Sequence, residues 1–267
     1  MLKFDAYRLK WMAIIAMILN HMAIAWWAIM PMGLKIPFIT VGGIVFPIMA
    51  YFVAEGYKHT SDFRKYITRI LIFAVIAQPA YLVALIIPMM SSNAWDDITI
   101  QNALGNLNIM FSIALSLIVL KLYDKIKSRV LFWLLYVLVI TPIATLFFEW
   151  FFFGTTMVLL YYIIKNEKAR RMIPPIFVGL CWFGMIMLMR MVAPDGAYNE
   201  NIFPLMYNST YLLLAPTFAL GCIAAIPLLL GYNGERGKRM KWLFYTFYPT
   251  HLFLLAVVAL FFGLLPT

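Results

Sequence analysis

The chain has 267 residues, of which 64% are hydrophobic and only 12% charged, with a mean hydropathy of +0.89. Soluble domains carry about 25% charged residues and at most about half apolar ones, so these values exclude a soluble globular fold and predict an all-α, polytopic integral membrane protein. The net charge of +10 does not point to nucleic acid, because its distribution has a different reason.

Basic residues gather in five clusters, at 3–10, 58–69, 121–129, 165–171 and 236–241, with only Lys35 and Arg190 elsewhere. The stretches between them carry acids: Asp96 and Asp97, Glu149, then Asp195 and Glu200. Alternating basic connections are the positive-inside pattern. Apolar stretches of the length needed to cross about 30 Å of hydrocarbon recur along the chain, without the strand alternation of an outer-membrane barrel. Nine spans are predicted near 11–30, 37–57, 67–89, 104–122, 130–148, 150–164, 174–192, 210–231 and 243–265. The N-terminus falls in the cytosol and the C-terminus outside, as a multi-pass protein of a bacterial inner or plasma membrane.

The first apolar run lacks a small-residue cleavage site and reads as a retained helix. At Glu149 two spans abut with almost no loop, and 150–164 is short for a full crossing. The outer loops "SSNAWDDITIQNALGN" and "APDGAYNENIFPLMYNST" are the longest non-apolar stretches. Cys181 and Cys222 lie inside apolar runs and read as inert thiols. No linker or internal repeat divides the chain, so 1–267 reads as a single domain.

Pro47, Pro79 and Pro249 each fall near the middle of a span, where a freed carbonyl needs a neighbour or a wet cavity. Counted from the cytosolic ends, His21 and His251 share that depth, roughly ten residues or 15 Å in. Prolines and imidazoles at one level predict a buried cavity near the midplane.

His21, in "LNHMAIAWW", is the sharpest signal. Lys10 precedes it by eleven positions, which returns an α-helix to nearly the same face about 16 Å away. That stripe puts a cation at the cytosolic surface and an imidazole deep inside. An imidazole, with a reference pKa of about 6.5, suits a general base, and ionisable residues at membrane depth are functional by default. The plainer alternative is a histidine bonded to a neighbouring helix for packing.

The run "KWMAIIAMILNHMAIAWW" resembles the start of the TraX family, within the wider group of integral-membrane acyltransferases. Those proteins open with a basic residue, ten apolar residues and a histidine, the pattern made here by Lys10 and His21. "GGIVFPIMAYFVAEGYKHTSD" resembles the family's Gly-Arg-x-x-Phe-Pro block followed by Glu-Gly-x-x-His-Thr. "RILIFAVIAQPAYLVAL", "LNIMFSIALSLIVL" and "YNGERGKRMKWLFYTFYPTHLFLL" resemble the later blocks in order.

The resemblance implies acyl transfer within the membrane, with acetyl-CoA as donor and a peptide, glycan or lipid acceptor. The family's namesake is associated with acetylating the N-terminal amine of a conjugative pilin; relatives modify hydroxyls of sugars and cell-envelope polymers. Carried over by position, His21 is the candidate catalytic base, and Glu55, His59, Arg69, Asn108 and His251 match recurrent polar positions. Two positions depart from the pattern. Asn20 stands where the family usually has Asp, and Gly43 replaces the Arg of the Gly-Arg block.

Glu55 and Arg69, at the cytosolic ends of consecutive spans, suit either a structural ion pair or a catalytic or donor-contacting role, and Glu55 and His251 join His21 as catalytic candidates. His59 sits in a polar loop and is expected to be solvated or capping. Asn108 lies toward the outer face, to position an acceptor or to bond between helices. Tyr248, three residues before His251, can offer a hydroxyl from the same helix face. Arg236 and Lys238 supply charge for CoA phosphates, although topology alone also calls for basic residues there. The pantetheine arm is expected to thread past Lys10, with Asn20 on the acceptor side.

No metal site is expected, and the partners are acetyl-CoA, the acceptor and membrane lipids, without nucleic acid. The rival readings are a small-solute transporter or channel built on the kinked helices, a haem protein with His21 and His251 as axial ligands, and a docking subunit.

Overall fold

The computed structural model describes residues 3–26, 29–86, 105–192 and 209–262. Among these residues the backbone is helical and no strand forms; two isolated bridges join Phe4 to Tyr232 and Leu107 to Phe148. In order, the helices are α1 (Ala6–Ala25), α2 (Met32–Gly42), α3 (Val45–His59), α4 (Phe63–Tyr81), α5 (Ile109–Lys125), α6 (Arg129–Leu135), α7 (Thr141–Phe147), α8 (Phe151–Ile163), α9 (Glu167–Val192), α10 (Ser209–Leu230) and α11 (Lys241–Phe261). A π-helical turn, Leu82–Ile86, prolongs α4, and another, Tyr136–Ile140, joins α6 to α7.

Within the described residues, each predicted apolar stretch falls largely on helix. Among the described residues, five helical stretches are long and apolar enough to cross a membrane: Ala6–Ala25, Met32–His59, Phe63–Ile86, Arg129–Phe147 and Glu167–Leu188. Phe151–Ile163, Pro216–Leu230 and Tyr245–Phe261 are shorter and apolar. On the helices α6 and α7 and the π turn between them, Val130, Leu131, Val137, Leu138 and Leu146 are each more than half exposed. A contiguous apolar surface of that kind marks a membrane or partner face.

Polar residues punctuate the helix starts. Asp5 accepts from Arg8 N–H at 2.8 Å, Asp62 from Lys65 N–H at 3.0 Å, and Asn108 from Met110 N–H at 3.0 Å. Each satisfies a donor that the first helical turn leaves open.

The second predicted span is broken at Gly43–Ile44, so Pro47 sits in the first turn of α3 rather than mid-span. A missing N–H costs little there. The break allows close backbone packing. A methyl group on Gly43 would meet Gly221 Cα and Phe218 O, each at 2.7 Å, and one on Gly221 would run into the carbonyl of Thr40. Gly221→Val is therefore expected to lower the melting temperature, with about 1–3 kcal/mol lost to overpacking. Gly184, with nothing within 4 Å of its own Cβ position, gives the control; Gly184→Ala should melt like the wild type. Equal melting of the two variants would refute the tight crossing.

α10 packs on both α2 and α9, α11 lies against α4 and α1, and α5 contacts α4 and α8. The first and last helices are thus neighbours. The segment before α1 is tied to the connection between α10 and α11: Phe4 N–H donates to Gly231 O at 2.8 Å, Asn233 N–H to Phe4 O at 2.9 Å, and Ala6 N–H to Glu235 O at 2.8 Å. These bonds bring Arg236 and Lys238 to the N-terminal end of α1.

Candidate functional site

His21 on α1 and His251 on α11 are both buried, and their rings stack with centroids 5.0 Å apart and planes 10° from parallel. His21 Nδ1 lies 2.7 Å from His251 Nε2, and His251 Nδ1 lies 2.9 Å from the carbonyl oxygen of Phe247. A carbonyl only accepts, so His251 Nδ1 carries the hydrogen and donates it. In the neutral ring that leaves Nε2 as acceptor, and His21 Nδ1–H must be its donor. The tautomers follow from this network. His21 is left with a lone pair on Nε2.

The two rings are held by aromatic neighbours. Phe247 stacks on His251 at 4.5 Å, and the ring of Tyr248 meets both histidines edgewise, 6.3 Å from His21 and 5.6 Å from His251. In this arrangement the two rings do not stand as axial ligands of one haem. Two imidazole nitrogens sharing one metal stand about 4 Å apart at bond lengths near 2 Å, and these are hydrogen-bonded directly.

His21 lines a cavity of about 900 Å³, within the usual range of small-molecule sites. Lys10, Asn20, Glu55, Arg69, Arg236, Lys238 and Tyr248 line it too. His251 enters through its bond to His21. Lys10 lies over the Phe52 ring at 5.1 Å, close enough to Arg236 for the two charges to interact, and Lys238 lies over Tyr7 at 5.8 Å. Arg69 stands beside Tyr245. The cavity thus joins a cationic end, formed by the pinned connection, to an imidazole about three helical turns deeper.

Asn108 is placed apart from the others. It is fully buried, its amide donates to Ala74 O at 2.8 Å and to Gln78 Oε1 at 2.7 Å, and its oxygen caps α5. Those bonds tie α5 to α4, the interhelical alternative for this residue.

Glu55 pairs with Arg170, not with Arg69. Lys58 at 3.4 Å and His59 at 3.8 Å stand beside the same carboxylate. Arg170 is 2% exposed; its Nε donates to Tyr161 O at 2.6 Å, its Nη1 to Glu167 at 2.7 Å, and its guanidinium lies 4.7 Å from the Tyr51 ring centroid. Sequence reasoning missed Arg170 because it belongs to a basic cluster that topology already explained. Glu149 escapes sequence reasoning as well, because hydropathy groups it with the outer-loop acids. It lines the cavity, and its Oε2 is buried without a hydrogen-bond partner.

The family model described as TraX protein matches residues 6–259. The chain belongs to the TraX family. A curated relative, the probable fimbrial assembly protein FimC, serogroup H1, of Dichelobacter nodosus, is 28% identical over 272 residues, covering 97% of each chain. No solved structure matches the chain.

The two positions that depart from the expected pattern lie close together where Asn20 of α1 meets Gly42 and Gly43 at the end of α2. Asn20 lines the cavity and its side chain fills the space beside Gly42, where a Cβ would collide with it. Gly43 faces the backbone of α10 instead. There is no room at Gly43 for the arginine of the family block.

Proposed function

We propose that this TraX-family protein is a membrane-embedded acyltransferase that takes an acetyl group from acetyl-CoA. The observation that carries the reading is a cavity with a cationic end, Lys10, Arg236 and Lys238, and a hydrogen-bonded histidine pair deeper along α1. In this reading the chain crosses the membrane nine times with its N-terminus in the cytosol, so the cationic end faces the compartment that holds CoA. The CoA phosphates rest among Arg236, Lys238 and Arg69, and the pantetheine arm runs inward past Lys10.

His21 Nε2 removes the proton from the acceptor as the nucleophile attacks the thioester carbonyl. His251 holds the ring through Nδ1, fixes its tautomer and stabilises the imidazolium that forms. The rival route, in which His21 itself takes the acetyl group, uses the same lone pair. The depth of the pair keeps bulk water from the thioester.

The name of the Dichelobacter nodosus relative concerns fimbrial assembly, which supports a peptide amine of a surface-fibre subunit as acceptor, ahead of a cell-envelope hydroxyl. Purified protein in nanodiscs, incubated with radiolabelled acetyl-CoA and either a peptide amine or a sugar acceptor, is expected to release CoA and label the peptide. Label kept on the protein would favour the covalent route. No cleavage with any acceptor, together with solute flux in proteoliposomes, would replace this reading with transport.

A further inference from the structure

The connection between α7 and α8 carries a carboxyl that the histidine relay does not use. Glu149 Oε2 is buried and unpartnered in the cavity, and among the described residues no cation forms an ion pair with it. The backbone N–H of Ile109, the first residue of α5, stands beside both the carboxyl and the Tyr248 hydroxyl. Burial without a cation pushes the Glu149 carboxyl up to about 7, so the neutral acid is well populated at neutral pH and has a hydrogen to donate.

Tyr248 presents a second such donor. It is 5% exposed, its hydroxyl has no partner, and its ring edge meets His21 in the same cavity. Two buried donors left open cost stability until an acceptor arrives.

The backbone holds Glu149 firmly. Its N–H donates to Leu107 O at 2.9 Å, and Leu107 N–H donates to Phe147 O at 2.8 Å. Two residues on, Phe151 takes the left-handed region at φ 46°, which a bulky residue seldom adopts without a local reason. Such strain concentrates at functional sites.

We propose that Glu149, as the neutral acid, and Tyr248 donate their O–H hydrogens to the carbonyl oxygen of the acyl donor. This rests on the acyl-transfer reading and supplies its oxyanion-stabilising half. The acceptor X–H attacks the thioester carbon while His21 Nε2 takes its proton, and the carbonyl π electrons move onto oxygen. Glu149 and Tyr248 hold that oxyanion. Its collapse breaks the C–S bond, and the CoA thiolate takes the proton from His21, leaving X-acetyl and free CoA.

The test uses full-length Glu149→Gln, Glu149→Ala and Tyr248→Phe in nanodiscs, with kcat, KM for acetyl-CoA and the infrared C=O band of a protonated carboxylic acid at neutral pH. The wild type should show a band that Glu149→Gln lacks. Glu149→Ala and Tyr248→Phe should each lose about 10²–10³ in kcat at little changed KM, whereas Glu149→Gln, which keeps a donor, should stay within about tenfold of the wild type. If Glu149→Ala does not fold, Glu149→Gln, Tyr248→Phe and the band still decide. Absence of the band, a Glu149→Gln with no measurable turnover, or full activity of Tyr248→Phe overturns the donor pair while leaving acyl transfer standing. A wild type that shows the band and never cleaves acetyl-CoA overturns acyl transfer, and the oxyanion role with it.

Discussion

Purified His21→Ala protein is expected to cleave acetyl-CoA about 10²–10⁴-fold more slowly than the wild type, the range that one positioned acid–base group contributes. The His251→Ala protein should also slow, but less, because it keeps the Nε2 base and loses only the acceptor that fixes its tautomer. That order follows from the direction of the hydrogen bonds. The Phe247 carbonyl dictates the hydrogen on His251, and His251 in turn dictates the one on His21. If His251→Ala were the slower of the two, the base would be His251 and the relay would run the other way. CoA release measured with a thiol reagent, beside a melting curve for each variant, separates these outcomes from loss of fold.

The second large effect concerns stability. Arg170→Ala is expected to cost about 1–3 kcal/mol: it leaves the Tyr161 carbonyl unpaired, while Glu55, 26% exposed, keeps Lys58 beside it. Arg170 touches Glu55, Glu167, the Tyr161 carbonyl and the Tyr51 ring at once. It joins α3, α8 and α9, and Glu55 keeps its place on the cavity wall through that contact. Glu55→Gln should cost less, since the amide oxygen still accepts from the guanidinium. Melting in detergent with and without Arg170 measures the effect, and a shift no larger than that of an exposed lysine in the same cluster would refute it.

Much of this architecture was legible in the sequence, and the reason is the solvent. Lipid forces backbone groups to bond within helices, so apolar run lengths located the helices closely, apart from the break at Gly43. His21 and His251 could be set at one depth by counting residues. Lys10 and His21 could be put on one stripe by helix periodicity. What counting could not supply was lateral contact. Glu55 and Arg170 are 115 positions apart, and periodicity within one helix says nothing of which neighbour it meets. Glu149 was hidden for a related reason: hydropathy places a lone acid in an outer connection, and only the Leu107 bridge and the α5 N-terminus show it turned inward. The tautomer chain needed the Phe247 carbonyl, a backbone atom that no residue pattern displays.

His21 and His251 are separated by 230 positions, and they sit on the first and last described helices. During synthesis the imidazole of α1 therefore enters the membrane long before its partner exists. The cationic end is equally late, since the connection carrying Arg236 and Lys238 precedes only α11. On the acyl-transfer reading, a chain made only as far as α10 has neither the oriented base nor the full cationic end, so translation of α11 must precede any turnover.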